Sequence, residues 1–360
     1  MQNILSLNNF NLSYAGYDLT IFIDPYNPLN LPPYTIRLLY KDGVTPIFDK
    51  GTGVQVSQNP NIWDLTYTNS DWSGLLRLHN DLLEVIGANT AGVTSMQWLF
   101  YMCDSLTSVS LFNTSNATNM SAMFGYCSVL TTIPLFDTSK VTNMSRMFDE
   151  CESLTSVPLF NTSNVTDMHD MFYDCISLTS VPLFDTSNVT NMGGMFAWCT
   201  LLNSVPLFDT HNVTNMQGML ARTAITTCPL FDTSNVTNMS DMFGYCGSLS
   251  SVPLFDTSKV TDMSWMFEFC NLLIEVPLFN TSNVTNMAWM LIACTSIKTI
   301  PLFDTSKVTD MSYMCSGCIR VESGAFELYQ QASTQTNPPA NHTETFKNCG
   351  ASAQIPDDWK

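Results

Sequence analysis

The chain reads as an α/β repeat solenoid of short parallel strands and short helices, with a β-rich N-terminal domain and a C-terminal cap. Three observations predict it. A phrase close to P-L-F-[DN]-T-S-x-V-T-[DN]-M-x-x-M-F-x-x-C recurs nine times, its phenylalanine running from Phe112 to Phe303 in steps of 24 residues, except for 23 between Phe208 and Phe231. Within each unit the apolar period switches from strand-like to helix-like. Nine of the twelve cysteines occupy one position of the unit, from Cys103 to Cys318. Units this short cannot bury an apolar face alone and must stack on their neighbours.

Taken in order, residues 1–33 are rich in Asn and Pro and read as an N-terminal arm, extended or paired into two strands. Residues 34–92 read as a β-rich cap or attachment domain. There 34–40 alternates like a strand, Lys41-Asp42-Gly43 is a turn signal, further short strands follow through Tyr67, and 75–86 looks helical. The repeat array spans 93–318. In the unit 154–175, the stretch 154–159 is a strand with Val157 and Leu159 on one face. Pro158 recurs in eight of nine units and predicts weak pairing there. Residues 161–164 supply turn and cap chemistry, and Met168, Met171, Phe172 and Cys175 form one stripe of a short helix. The Met stripe and the cysteine column read as core, the thiols acting as small hydrophobes. The tail, 319–360, reads as a C-terminal cap with a helix at 324–332 and a final flap ending near Trp359.

Composition narrows the function. The formal net charge is −18, from 31 acids against 13 bases, which excludes a nucleic-acid face and binding to anionic lipid. No lysine or arginine precedes Arg37, and no secretory leader, spanning segment or lipid-anchor pattern is legible, so no membrane insertion is expected. His79, His169, His211 and His342 are scattered over different units, and nothing sets one beside a nucleophile and an orienting carboxylate. Cys315-Ser316-Gly317-Cys318 is a lone CxxC and reads as core. Asp137, Asp185, Asp209, Asp232, Asp256 and Asp304 share a turn position with Asn113, Asn161 and Asn280, which fits capping of backbone amides better than calcium. No catalytic residue, cofactor or metal is expected. The short unit around 219–225 is either a deletion absorbed by a turn or a ligand notch.

C-x-S-L-T-S-V-P-L-F together with V-T-[DN]-M-S-x-M-F resembles the leucine-rich repeats of BspA-like bacterial surface proteins over 93–318. The resemblance implies a leucine-rich-repeat-like right-handed coil and an extracellular, non-enzymatic binding role. The flanking residues Ile62 to Tyr67 and Ile355 to Trp359 are similar to those beside such repeats in proteins of gut bacteria and their phages.

The variable outward positions are then the candidates for recognition. Two of them, four apart on the expected helix, carry Trp98, Tyr126, Trp198, Tyr245, Trp265, Phe269, Trp289 and Tyr313. Exposed apolar tracks of this kind mark partner surfaces. The expectation is a surface-displayed recognition or adhesion protein, on a phage virion or a bacterial envelope, binding a cell-surface protein or glycan. Residues 1–92 would then attach it to other virion subunits. The alternative is a structural virion decoration or spacer whose aromatics pack against neighbouring subunits.

Overall fold

The computed structural model describes residues 10–14, 17–21, 29–56 and 59–360. Strands β1 (Phe10–Tyr14) and β2 (Tyr17–Ile21) pair antiparallel, as one form of the expected arm; the rest of 1–28 lies outside the described residues. A five-stranded sheet follows, in the order β4 (Thr52–Gln55), β5 (Ile62–Thr66), β3 (Thr35–Tyr40), β6 (Leu82–Asn89) and β7 (Ser108–Val109). All pairs are antiparallel except β6–β7. Ile36, Leu38 and Tyr40 alternate into the core, while Arg37 forks onto the Asp64 carboxylate with two bonds of 2.7 Å. The helix expected over 75–86 is therefore corrected: its second half is β6, and its first half is turn.

That turn already belongs to the repeat array. Parallel bridges link Asp71, Ser95, Asn119 and Asn143 in series through to Asp310 and Asn341. The array thus begins before residue 93 and continues past 318. The step from Asp310 to Asn341 is longer than the others because it carries helix α1 (Ala325–Thr334).

Within the repeat, the expected helices are corrected too. Among the described residues α1 is the one α-helix, and 165–175 holds the bridge residue Asp167 followed by turns over 169–174. Alternate amides divide their bonds. Met168, Asp170, Phe172 and Asp174 donate to carbonyls of the next repeat (Asn191, Gly193, Met195 and Ala197) at 2.8–3.1 Å, while Met171, Tyr173 and Cys175 donate three residues back. Asp170 and Asp174 have φ of 54°, and their equivalents in every repeat are also positive, from Trp98 at 57° to Tyr313 at 57°. A positive φ at the third residue of a turn is the type II geometry. Two such turns, four residues apart, bury positions 1, 4, 5 and 8, the same positions as a helical stripe. Met168, Met171, Phe172 and Cys175 are all fully buried.

The strand expected over 154–159 is also turn and loop. Phe160 donates to the Pro158 carbonyl at 3.0 Å, the two-residue reach of a γ-turn, and this parts Val157, which is buried, from Leu159, which is 59% exposed. The exception explains the rule. In the first repeat Ser110 stands where the others have proline, its amide reaches the Val85 carbonyl at 2.9 Å, and this repeat alone keeps a named strand, β7.

The remaining invariant residues tie repeat to repeat. The buried Thr162 hydroxyl donates to the Asp185 carbonyl at 2.7 Å, and Thr166 donates both its amide and its hydroxyl to the Thr142 carbonyl. Asn161 and its equivalents accept the amide two residues on, an Asx turn that Asp and Asn make equally. Inside, Phe124 and Phe148 stack at 5.8 Å and 2°, and Phe172 and Phe196 repeat the contact at 5.7 Å. Each column cysteine donates its thiol to a backbone carbonyl one repeat back, as Cys175 does to Phe148 at 3.0 Å and Cys246 to Leu220 at 3.0 Å. All twelve cysteines are free, and burial pushes the Cys294 thiol up to about 12. Cys315 and Cys318 are both buried, Cys318 in the same column. The ends are closed by Trp72 at one side and by α1 with Trp359 at the other. His342 stacks on Trp359 at 4.3 Å.

Two outcomes follow. Left-handed φ costs a residue with a Cβ roughly 1–2 kcal/mol, partly offset by the extra unfolded-state freedom of glycine. Ala293→Gly, at φ 57°, is therefore expected to raise unfolding free energy by about 0.5–1 kcal/mol in urea titrations. A thiol reagent is expected to modify no more than the half-buried Cys228 in the native protein and all twelve cysteines after denaturation.

Candidate functional site

The two left-handed positions of each repeat project away from the Met, Phe and Cys side chains packed inside. All eight sequence-derived candidates occupy them, with φ between 55° and 66°. They form two columns: Trp98, Trp265, Trp289 and Tyr313 in the first, Tyr126, Trp198, Tyr245 and Phe269 in the second. The outward placement agrees with expectation, but its cause is turn geometry and not a helical face. Trp98, Trp198, Tyr245, Trp265 and Phe269 are 36–42% exposed, and the other three are half-buried.

The columns are partly stacked. In the second, the Arg222 guanidinium lies 4.1 Å from the Trp198 ring centroid and 3.7 Å from that of Tyr245, and Tyr245 stacks on Phe269 at 4.8 Å and 16°. Four consecutive repeats thus carry one continuous aromatic–guanidinium stack, each cation–π contact contributing about 0.5–2 kcal/mol. In the first column Trp289 stacks on Tyr313 at 4.3 Å. Tyr126 meets Tyr101 edge-on at 5.2 Å. Trp98 is set apart at the far end, beside Gln97, Ser121 and Arg146. Arg222 was not among the candidates; aligning the short repeat on Met219 instead of on its missing cysteine places it in the column.

The short repeat disturbs little. The bridges Asn191–Asn215–Asn238 run through it, Thr223 takes the cysteine position and donates to Leu220 at 2.7 Å, and the missing residue is taken out of the turn at Ala224. Beside it lies the larger feature, a groove of about 420 Å³ lined by Asp170, Tyr173, Trp198, Gln217 and Asp241 over Gly194 and Gly218. These glycines stand in the first column, where three other repeats carry Trp98, Trp265 and Trp289.

Electrostatics across this face are acidic. Arg146 pairs with Asp170 at 3.2 Å across adjacent repeats. Asp149 is buried between them, and desolvation pushes its carboxyl up to about 7, Arg146 opposing and Glu150 and Asp170 adding to the shift. Asp241 is likewise raised to about 6, by burial and then by Glu268, against Arg222. The opposite face is apolar along one row: leucines from Leu135 to Leu302, one per repeat, are 52–62% exposed. His169 and His211 each bond the aspartate two residues back, at Asp167 and Asp209.

A native pKa above the unfolded value means that the folded state binds more protons, so stability falls as pH rises between the two values. For Asp149 the window runs from about 4 to about 7. Asp149→Asn is expected to flatten the decline of Tm over this window; an unchanged Tm–pH slope would show that the carboxyl titrates normally.

A family model described as "Mycoplasma protein of unknown function, DUF285" matches the chain in overlapping stretches, 77–181, 155–251, 179–273, 222–327 and 248–359. No curated protein matches it. The overlapping matches run together from 77 to 359, over most of the bridged array and its C-terminal end, and they establish a tandem-repeat protein.

Proposed function

Since the chain belongs to the repeat family described as Mycoplasma protein of unknown function, DUF285, we propose that it is a non-enzymatic, surface-displayed recognition or adhesion protein. Its array is read as a leucine-rich-repeat-like right-handed solenoid of the BspA-like kind. The ligand is a cell-surface protein or glycan, and display is on a phage virion or a bacterial envelope. The observation that carries this reading is the pair of outward columns, in which aromatics stack on rigid turn positions that the core leaves free to vary. Aromatic and arginine side chains held in place before contact lose little entropy on binding and dominate recognition surfaces.

A second reading, a structural decoration or spacer protein, is favoured by the exposed leucine row, which would pack against other subunits. The two readings separate in one experiment. The double variant Trp265→Ala/Trp289→Ala is expected to lose at least tenfold in binding to host cells or immobilised envelope material, with its far-UV spectrum and oligomeric state unchanged. Retained cell binding with loss of self-association or of incorporation into particles would instead support the structural role.

A further inference from the structure

The groove over Gly194 and Gly218 has a composition that the aromatic columns lack. We infer that it takes one neutral pyranose unit of a glycan, an assignment that rests on the glycan form of the recognition role proposed above. Its shape comes from a local change of repeat sequence. For two consecutive repeats the first column is glycine, and the position between the columns is alanine, at Ala197 and Ala221. Elsewhere the first column includes Ala122, Arg146, Trp265 and Trp289, and the position between the columns includes Tyr173 and Glu268 as well as Gly125 and Gly244, so it is the two small pairs in succession that open the space. The outcome is a depression of about 420 Å³ floored by backbone, within the range of small-ligand sites. A Cβ at Gly194 would collide with the Asp170 carboxylate, so that glycine is what lets Asp170 lie along the groove end.

The lining is of the kind that reads a sugar. Tyr173 closes one end, and Ala197 and Ala221 follow it in its own column, which leaves that side of its ring open toward the cavity. An aromatic side placed this way suits the C–H face of a pyranose. Around it stand planar polar groups: the carboxylates of Asp170 and Asp241, the Asn215 carboxamide, Gln217 and His169. His169 spends Nδ1 on Asp167 at 2.8 Å, which leaves Nε2 for a ligand hydroxyl. Carboxylates accept and carboxamides both donate and accept, the complement of a ring of vicinal hydroxyls.

Charge selects for neutrality. Asp170 is already paired with Arg146, so a cationic ligand finds only Asp241 without a direct ion pair. An anionic sugar meets two carboxylates on a chain of net charge −18.

The array itself supplies the test variant. A Cβ at Gly218 finds its nearest neighbour, Asp241 Oδ2, at 3.9 Å. Its φ of 60° matches the 57°, 56° and 63° of Trp98, Trp265 and Trp289 at the same repeat position. Gly218→Trp therefore fills the groove with a side chain the fold already accepts there.

The full chain would be titrated calorimetrically with neutral gluco-, galacto-, manno- and N-acetylglucosamine trisaccharides, with sialyllactose and a galacturonate trisaccharide as anionic counterparts. The expected result is binding of at least one neutral probe and neither anionic one. Affinity should fall at least tenfold in Gly218→Trp with its far-UV spectrum unchanged, and measurably in Gln217→Ala, whose exposed side chain accepts only a long bond from Asn238 at 3.5 Å. Binding of no neutral probe, or equal affinity in all three proteins, would overturn the inference. The cell-binding assay of Trp265→Ala/Trp289→Ala reads the aromatic columns separately, so loss there without saccharide binding would remove the groove and leave the recognition role standing.

Discussion

Every second amide of the turn region leaves its own repeat and bonds the next, and the rest of the molecule depends on that division. A helix would use all its amides internally and leave nothing to link the units. Here the inward-bonding amides close turns, and the outward-bonding ones form a ladder perpendicular to the chain. The cost is two left-handed residues per repeat, roughly 1–2 kcal/mol each for a side chain with a Cβ. That cost is offset by burial: the four stripe residues of each repeat, in most of them Met, Met, Phe and Cys, are enclosed, and a buried apolar side chain of this size contributes about 1.5–3 kcal/mol.

The same constraint creates the candidate surface. A left-handed residue in a turn cannot point its Cβ into the core that the turn encloses, so its side chain is released from packing. Trp265 and Phe269 are there because the backbone needs only a tolerated φ, and chemistry outside the fold can choose the residue. Where that choice is glycine at Gly194 and Gly218, the column opens into a groove; where it is Trp198, Arg222 and Tyr245, the column becomes a stack. Surface variety therefore arises on an unvarying frame.

Much of this was legible in the residues. The 24-residue step specified a stacked array, the cysteine column specified buried thiols, the exchange of Asp137 with Asn161 specified amide capping, and the outward aromatics were read at the correct positions. Helix and turn pair were not separable by burial pattern, because Met168, Met171, Phe172 and Cys175 satisfy both. The signal that separates them is residue type at the intervening positions: Gly194, Gly218, Gly317, Asp170, Asp174 and Asn348 are residues suited to positive φ and poorly suited to a helix interior. Proline carried a second signal. Read as a weak strand, Pro158 in fact marks a γ-turn, and Ser110 in its place shows what the missing amide would have paired with. Arg222 falls into the column once the short repeat is aligned from its methionine.

The most direct measurement is the far-UV circular dichroism of the intact chain. The account predicts helical signal from the ten residues of α1 and little more, because the repeats are built of turns that hydrogen-bond to one another. A pronounced helical double minimum, as one short helix in each of nine repeats would give, would contradict it and return the outward aromatics to a helical face.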